Sequence, residues 1–248
     1  MTTYAVRVQD LTVAHRRHPA VHHLSGSFER GSLTAVIGPN GAGKSSLLDA
    51  LIGKLPASGG RIEFAPDLRG RIAYLPQQSQ IDRSFPLTVQ ELVQLGQWGR
   101  LGAFGGASAS DEAQARDALA AVGLTGFERR LIGELSTGQF QRALFARVLL
   151  QDAPLVLLDE PFNAIDDRTC ADLLGVIRRW HGETRTVVAV LHDLEQVRAH
   201  FPQTLLLARE AVAWGPTAQV LHAENLFRAR QMAQAWVEGA PYCERAAA

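Results

Sequence analysis

The segment Gly38-Pro39-Asn40-Gly41-Ala42-Gly43-Lys44-Ser45 carries the residue types that hold phosphate groups, in the pattern G-x-x-x-x-G-K-[ST]. Its glycines let the backbone curl until successive N–H groups converge on phosphate oxygens, and the N-terminus of the following helix favours the same anion. Lys44 supplies a mobile positive charge, and Ser45, next to Ser46, offers a hydroxyl to Mg²⁺. The segment predicts a nucleotide phosphate site; the alternative is a chance glycine turn with a surface lysine.

Two acidic residues end a second apolar run, Leu155-Val156-Leu157-Leu158-Asp159-Glu160. A buried strand of this kind delivers its last side chains to the carboxyl edge of a parallel sheet, where ligands bind in open α/β folds. We expect Asp159 to hold Mg²⁺ through water and Glu160 to act as the general base that polarises an attacking water. The alternative is that both acids only cap the following helix.

A third candidate anion site lies at Leu135-Ser136-Thr137-Gly138-Gln139, ahead of a helix predicted from Gly138 to Gln151. Ser136 is placed to cap this helix, and Gly138 leaves backbone N–H groups open to an anion. Because the segment belongs to a helical stretch separate from Lys44, it cannot easily reach the same phosphate within one chain. We therefore expect it to contact a nucleotide that is held by a second subunit.

The positions of the apolar residues predict the strands that carry these segments. Alternation of Tyr4, Val6 and Val8 with their neighbours is typical of a half-buried strand, whereas unbroken apolar runs indicate strands covered on both faces. The expected strands after the first are Leu33–Ile37, Ile62–Phe64, Ile72–Leu75, Leu155–Leu158, Thr186–Leu191 and Thr204–Leu207, with Val212–Trp214 completing a hairpin.

Helices are expected between these strands. Apolar residues at helical spacing follow the phosphate-binding segment as far as Leu55, and Pro56 with the Ser58-Gly59-Gly60 run ends that pattern. Residues 78–152 are predicted to be an inserted helical region. Within and beyond it we expect a loop at 96–106, a helix capped by Ser110 and ended by Gly123, a helix at Asp167–Trp180 and a polar helical tail from Thr217.

The overall composition argues against several classes of protein. The chain has 248 residues with 25 basic and 25 acidic side chains, so a broadly basic nucleic-acid-binding surface is not expected. A hydrophobic share of 46% argues against disorder, and the apolar runs are too short for a membrane-spanning helix. The first ten residues lack the apolar core and the small-residue cleavage site that are typical of a secretion signal. Cys170 and Cys243 lie far apart, which favours free thiols in a reducing cytoplasm.

Together these segments resemble the ATP-binding subunits of ABC transporters, from about residue 4 to 215. The resemblance implies an α/β fold, in which a P-loop NTPase core carries an N-terminal antiparallel β subdomain and an inserted α-helical subdomain. It further implies that residues 1–77 and 153–215 form the nucleotide-binding core, that residues 78–152 form the helical insert with the signature loop, and that residues 216–248 form a C-terminal helical tail.

The resemblance also assigns roles outside the phosphate-binding segment, with ATP as the substrate and Mg²⁺ as the cofactor. Gln77 matches the glutamine that senses the γ-phosphate and Mg²⁺ beside the membrane partner. His192 matches the switch histidine that contacts the γ-phosphate. Asn163-Ala164-Ile165-Asp166 matches the loop that crosses the dimer interface, and Leu135–Gln139 matches the signature loop.

Two positions depart from the pattern of the family. Thr137 stands where the family usually has a glycine, and its Cβ makes a positive φ unfavourable. Ser136 and Gly138 remain, so we expect the contact with the partner's phosphate to survive. His15 aligns with the aromatic residue, often tyrosine, that stacks on adenine in this family. An imidazole can also stack on the base, with a smaller contact area.

Four of the eight histidines lie close together, at positions 15, 18, 22 and 23. A metal site is one interpretation of this cluster, although its spacing fits no motif with fixed ligand geometry. The other interpretation, which we favour, is a solvated hairpin in which His15 contacts adenine. Titration of the subunit with zinc distinguishes the two.

The resemblance implies an ATPase that drives transport. Two copies are expected to associate head to tail, so that each ATP lies between the Lys44 loop of one and the Ser136 loop of the other. Permease subunits would hold them at the cytoplasmic face of the membrane, and a solute-binding protein on the other side would deliver the cargo. The runs 16–20 and 84–93 are similar to manganese, zinc and iron-chelate importers, and we favour zinc or manganese.

Two other functions stay open. One is a non-transport ABC ATPase, for example in iron–sulfur assembly, DNA repair or translation; the other is a P-loop kinase. Repair members usually carry long coiled coils and translation members usually carry a second ATPase domain, and this chain shows neither. A kinase would leave Leu135–Gln139 and His192 unexplained. Co-purification with a polytopic membrane protein separates the transport subunit from both alternatives.

Overall fold

The computed structural model describes residues 3–15, 18–102 and 106–235. The strands are β1 (Tyr4–His15), β2 (His18–Glu29), β3 (Leu33–Ile37), β4 (Ala57–Phe64), β5 (Ile72–Leu75), β6 (Leu155–Asp159), β7 (Thr186–Val190), β8 (Gln203–Ala208) and β9 (Glu210–Pro216). The α-helices are α1 (Lys44–Leu51), α2 (Val89–Gln94), α3 (Trp98–Leu101), α4 (Ala109–Ala121), α5 (Thr137–Gln151), α6 (Asp167–Gly182), α7 (Leu194–His200), α8 (Thr217–Val220) and α9 (Ala223–Ala235).

The larger sheet has the strand order β5-β6-β7-β3-β8-β9, and every neighbouring pair is parallel except the antiparallel pair β8–β9. Strands β3, β6 and β7 are buried along their whole lengths, as their unbroken apolar runs predict. Parallel strands bring their carboxyl ends to one edge of the sheet. The segments at this edge contain Lys44, Gln77, Asp159 and His192.

The smaller sheet is antiparallel, with the order β2-β1-β4. Its buried residues Val6, Leu11 and Phe28 form one hydrophobic cluster with Val36 and Leu157 of the larger sheet. Strand β2 was not among the predicted strands. Bulges shift the register of the β1–β2 pair in several places, so the buried residues of β2 alternate with less buried ones only as far as Val21 and leave no continuous strand pattern in the sequence.

Strand β4 begins at Ala57, earlier than the predicted start at Ile62. The Ser58-Gly59-Gly60 run was expected to be a helix-ending turn, but it lies inside this strand. Gly60 has a φ of +69°, and a Cβ at this position would lie 2.2 Å from the carbonyl oxygen of Asp10. The glycine therefore allows β4 to approach β1 closely at an irregular point of their pairing.

Helix boundaries also differ from the predictions. Helix α1 ends at Leu51, so Leu55 lies beyond it, and Gly53 turns the chain with a φ of +76°. Helix α4 is capped by Ser108 and not by Ser110: the Ser108 hydroxyl accepts a hydrogen bond from the Asp111 amide, and Ser110 lies in the first turn. Part of the loop expected at 96–106 is the short helix α3, and residues 103–105 lie outside the described residues.

The helices between β5 and β6 pack over the other face of the larger sheet. Helices α2, α4 and α5 share a continuous hydrophobic cluster with α6, in which the rings of Phe145 and Trp180 stack at 5.9 Å. The described segments between β5 and β6 form helices and turns, as predicted. The fold is thus the expected P-loop NTPase core with an antiparallel β subdomain and inserted helices.

Three further predictions concern individual segments. Cys170 is a buried free thiol on α6, whereas Cys243, together with Arg16, Arg17 and residues 236–248, lies outside the described residues. In the part of the chain that the structure describes, no helix combines the length and the apolar character needed to cross a bilayer. The tail from Thr217, expected to be helical, contains α8 and α9, and α9 packs against β8 and contributes Ala229 to the core.

Candidate functional site

The phosphate-binding segment joins β3 to α1 at the carboxyl edge of the larger sheet. Two of its glycines are required by close backbone approaches: a Cβ at Gly38 would lie 1.9 Å from the carbonyl oxygen of Leu207, and one at Gly43 would lie 2.0 Å from that of Ala20. No side chain caps the N-terminus of α1, whose first residue is Lys44. The amide groups of this turn therefore face a place where an anion can bind.

Lys44 is buried in the cleft with its ammonium group held by backbone oxygens. Its Nζ donates to the carbonyl oxygens of Gly38 at 2.8 Å and Pro39 at 3.0 Å. Burial lowers the pKa of Lys44, and the carboxylates of Glu160 and Asp159 oppose that shift. A buried cation whose described hydrogen-bond partners are neutral carbonyls is well placed to gain an anionic ligand.

Asp159 ends β6 beside the first turn of α1 and is fully buried. Its Oδ1 accepts hydrogen bonds from Ser45 Oγ at 3.2 Å and from Gln77 Nε2 at 3.5 Å, and Gln77 Nε2 also lies 3.3 Å from Ser45 Oγ. Its Oδ2 is buried without a partner among the described residues. Burial raises the pKa of Asp159 because the charged form loses its hydration.

Asp159 and the two side chains beside it, Ser45 and Gln77, fit a hard cation. The carboxylate of Asp159 and the hydroxyl of Ser45 present the oxygen atoms that Mg²⁺ prefers, and the amide of Gln77 carries a third in Oε1, although its Nε2 is the atom that faces them here. The unpartnered Oδ2 of Asp159 lacks the positive partner that a buried carboxylate requires. Mg²⁺ bound by Ser45, Gln77 and Asp159 would supply that partner and would withdraw charge from a neighbouring phosphate.

Glu160 takes a backbone conformation that is unusual for a residue with a side chain, with a φ of 50°. Its amide donates to the carbonyl oxygen of Val190 at 3.2 Å, and its own carbonyl oxygen accepts from the amide of Asn163 at 3.2 Å. Strain of this kind persists where the surrounding structure holds it, and it is common at functional sites. Here it aims the carboxylate of Glu160 into the cleft beside Lys44.

Two side chains orient the carboxylate of Glu160. His192 Nε2 lies 2.6 Å from Oε1, and Asn163 Nδ2 donates to Oε2 at 3.2 Å. His192 follows β7, which neighbours β6 in the sheet, so strand order alone brings the two residues together. This pair can hold a water molecule and receive its proton, as a general base and its orienting partner do.

An open cleft of about 370 Å³ extends from Glu160 and His192 along the phosphate-binding segment. His15 lies at this cleft, and its Nε2 is 2.9 Å from Ser46 Oγ. The lining combines most of the predicted phosphate-binding residues with others from β2 and from the turn after β8. The lining residues are His15, His18, Pro19, Ala20, Asn40, Gly41, Ala42, Gly43, Lys44, Ser45, Ser46, Glu160, His192 and Arg209.

The Leu135–Gln139 segment forms the N-terminus of α5 and does not line this cleft. Ser136 caps the helix: its Oγ accepts from the amide of Gln139 at 3.2 Å, and Gln139 Oε1 accepts from the amide of Ser136 at 3.0 Å. The helix begins at Thr137, one residue earlier than predicted. The first helical position has a negative φ, so the side chain of Thr137 causes no backbone strain there.

The N-termini of α5 and α6 lie next to each other. Asp166 caps α6 by accepting from the amide of Thr169 at 2.9 Å and from its hydroxyl at 2.8 Å, which lowers the pKa of Asp166. A Cβ at Gly138 would lie 3.4 Å from Asp166 Oδ2 and 3.3 Å from Thr169 Oγ1. Gly138 and Asp166, both predicted to meet a second subunit, are therefore neighbours on one surface.

The clustered histidines contact separate partners. His22 Nδ1 lies 3.1 Å from Glu210 Oε1, His23 Nδ1 lies 2.6 Å from Asp10 Oδ1, and the two imidazole rings meet edge to face. Among residues 3–15, 18–102 and 106–235 there is no group of three or more His, Cys, Asp or Glu side chains arranged to hold a metal ion.

Comparison with known families agrees with this geometry. The family described as ABC transporter matches residues 21–163, which is more than half of the chain. The chain belongs to the ABC transporter family. It is an ATPase of that family, with the ATP-binding cassette fold.

Relatives extend the similarity along nearly the whole ABC cassette. The zinc transport system ATP-binding protein TroB of Treponema pallidum is 40% identical over 233 residues, covering 92% of this chain and 87% of that protein. The manganese transport system ATP-binding protein MntB of Listeria monocytogenes is 38% identical over 225 residues, covering 89% and 94%. A chain from an ABC transporter that is described as of the metal-chelate type and was solved facing inward is 31% identical with a TM-score of 0.81, covering 91% of this chain and 89% of that one.

Three residues of this ABC cassette that the sequence patterns did not select hydrogen-bond to segments that carry the site. Gln78, which follows Gln77 in the chain, donates from Nε2 to Gln141 Oε1 at 2.6 Å. Arg209, with a φ of 65°, donates from its amide to the carbonyl oxygen of Ala42 at 2.9 Å and from Nη1 to that of Pro19 at 2.9 Å. Arg209 thus joins the phosphate-binding segment to β2. Gln141 could have been found from the sequence, because it is a polar residue on a helix face that is otherwise apolar. Nothing in the sequence near Arg209 indicates its role.

Proposed function

We propose that this chain hydrolyses ATP to power the import of zinc or manganese ions. The observation that carries this proposal is the identity of 38–40% with subunits named for manganese and zinc transport, over about nine-tenths of the chain. An ATP-binding subunit does not touch the transported ion. The substrate is therefore inferred from relatedness along the whole chain and not from any single residue.

In this proposal the phosphates of ATP bind in the cleft at the start of α1. Residues 38–46 surround the phosphates with backbone amides, and Lys44 exchanges its bonds to the carbonyl oxygens of Gly38 and Pro39 for phosphate oxygens. Ser45, Gln77 and Asp159 hold Mg²⁺. His15 stacks on adenine at the far end of the cleft, beside Ser46.

Glu160 is the general base in the proposed reaction. It takes a proton from the water that attacks the γ-phosphate, and His192, 2.6 Å away, holds its carboxylate and contacts the γ-phosphate. Most of the rate enhancement then comes from positive charge and amide dipoles placed in advance around the phosphates, with Lys44 as the main charge from this chain.

A second copy of the chain completes the proposed site. Ser136, Gly138 and Gln139 of one copy contact the ATP held by the Lys44 loop of the other, and Asp166, beside Gly138, crosses the same interface. Polytopic permease subunits anchor this head-to-tail dimer at the cytoplasmic face of the membrane, and a solute-binding protein outside the cytoplasm supplies the ion. Nucleic acid is not proposed as a partner.

Uptake of radioactive zinc and manganese tests the proposed substrate. Cells that lack this chain are expected to lose saturable uptake of one of these ions, and the intact chain should restore it whereas the Glu160→Gln variant should not. Chelated iron is the second candidate, because a metal-chelate type transporter is 31% identical to this chain. If only the uptake of chelated iron is lost, chelated iron replaces zinc and manganese ions as the proposed substrate.

Exposed apolar side chains on the helical insert are the proposed contact with the permease. Phe85 is 60% exposed and Leu131 is 41% exposed, and they belong to adjoining segments, since Thr88 pairs with Leu131. We expect Phe85→Ser to reduce recovery of the permease with this subunit while ATP turnover of the isolated subunit stays unchanged. Phe227→Ser, which changes a 62% exposed residue on α9, is the control. Equal loss with both variants would contradict this contact surface.

A further inference from the structure

Gln141 is a buried amide on an otherwise apolar face of α5. It is 1% exposed, and its neighbours Phe140, Leu144 and Phe145 are buried with it. A buried amide is costly unless both of its ends are hydrogen-bonded. Both ends are satisfied here: Oε1 accepts from Gln78 Nε2 at 2.6 Å, and Nε2 donates to the carbonyl oxygen of Pro161 at 2.6 Å.

The two partners of Gln141 belong to different parts of the ATP site. Gln78 directly follows Gln77, whose Nε2 lies 3.3 Å from Ser45 Oγ, and Pro161 directly follows Glu160. Gln78 Nε2 also lies 3.4 Å from the carbonyl oxygen of Thr137, in the first turn of α5. Through the side chains of Gln78 and Gln141, the loop that contains Gln77 is thus joined to the start of α5 and to the segment that carries the general base.

The bond to Pro161 acts on a segment that is already held in an unusual conformation. Glu160 has a φ of 50°, and its backbone is tied to Val190 and Asn163. Proline has no amide hydrogen, so its carbonyl oxygen is the polar backbone group through which Pro161 can be held. Gln141 adds a third anchor to this turn, from the side of the helical insert.

We propose that Gln141 is a positioning residue that couples the orientation of Glu160 to the loop that contains Gln77 and Gln78. The inference rests on the proposed role of Glu160 as general base. When the loop is in place, Gln78 holds Gln141 in the rotamer that donates to Pro161. When the loop moves away, Gln141 Oε1 loses the hydrogen bond from Gln78. The side chain of Gln141 is then free to change rotamer, and the turn after Glu160 loses a fixed anchor.

Steady-state ATP hydrolysis by the full-length chain and by the variants Gln78→Ala, Gln141→Met and the double variant tests this coupling. Methionine matches the length of glutamine but cannot form either hydrogen bond. We expect each single variant to lower kcat by roughly 5- to 20-fold, with the KM for ATP changed less than about 2-fold. The double variant should be no slower than Gln141→Met alone, because the two single variants and the double variant all break the same connection between the loop and Pro161.

Gln80→Ala, an exposed residue of the same loop, is the control and should leave kcat unchanged. Effects that multiply in the double variant, or an unchanged kcat in Gln78→Ala, would overturn the inference. If Gln141→Met fails to fold, Gln78→Ala decides the question alone, because Gln78 is only half-buried. Absence of hydrolysis by the unmodified chain would instead count against the proposed function.

Discussion

Replacing Glu160 by glutamine is expected to lower ATP turnover by roughly 10²- to 10⁴-fold while ATP binding stays intact. The glutamine keeps the size of the side chain and an oxygen that His192 can contact at the present 2.6 Å. It cannot take a proton from water, because a neutral amide is a very weak base. The loss should therefore appear in kcat, measured as phosphate release, and not in the equilibrium dissociation constant for ATP.

Glu195→Gln is the matched control for this prediction. Glu195 is an exposed carboxylate in the first turn of α7, three residues after His192, and its side chain has no described contact with Glu160. Its replacement should leave turnover unchanged. Turnover of the Glu160→Gln variant within a few-fold of the unmodified chain would remove Glu160 from the reaction, and weakened ATP binding would make it a binding residue instead.

Replacing Asp159 by asparagine should abolish most Mg²⁺-dependent turnover, by roughly 10²-fold or more, and at the same time make the Mg²⁺-free protein more stable. Asp159 is fully buried with an unpartnered Oδ2, and burial raises its pKa. The charged carboxylate therefore costs folding free energy in the absence of a cation. Asparagine removes that charge, and we expect the free energy of unfolding to rise near neutral pH.

The pH dependence of this stability difference has a defined sign. The pKa of Asp159 is raised in the folded state, so the folded chain binds the proton more tightly than the unfolded chain does. The free energy of unfolding of the unmodified chain therefore falls, by the contribution of Asp159, as the pH rises above the normal carboxyl range and through the raised pKa. The Asp159→Asn variant lacks this loss, so its advantage should grow over that interval and then level off.

Denaturant unfolding in a chelator-containing buffer measures this difference, with Asp117→Asn as the control. Asp117 is an exposed residue of α4, and its replacement should change the free energy of unfolding by less than about 0.5 kcal/mol. A destabilised Asp159→Asn variant would mean that the buried carboxylate is satisfied in the free protein. Full Mg²⁺-dependent turnover in this variant would exclude Asp159 from the cation site.

Local patterns predicted most of the residues of the phosphate-binding segment and its acidic partners because each pattern is confined to one short segment. The glycines, Lys44 and Ser45 follow one another along the chain, and Asp159 and Glu160 end a four-residue apolar run. Their positions relative to strands β3 and β6 follow from the apolar runs beside them. The meeting of these segments at one sheet edge was also predictable, because parallel strands bring their carboxyl ends together.

Boundaries were less predictable where two segments pair across the chain. The glycines at 59 and 60 suggest a turn when they are considered alone, yet β4 pairs with β1 there and needs a glycine near Asp10. Likewise, bulges in the β1–β2 pair removed the alternation that would have marked β2. In both cases contacts with a distant strand outweigh the local preference of the residues.

The sequence by itself predicted the groups that could carry the chemistry of this protein: the phosphate-binding segment, the two carboxylates and the apolar strands that present them, with His192 added by resemblance to the family. Only the tertiary structure decided how these groups are held. Glu160 has a left-handed backbone, and its amide bonds to Val190. Gln141 bonds to Gln78 and Pro161, and Arg209 bonds to Ala42. Each of these hydrogen bonds joins residues that are far apart in the chain. Such contacts depend on where strands and helices meet in space, and a linear pattern of residue types contains no record of those distances.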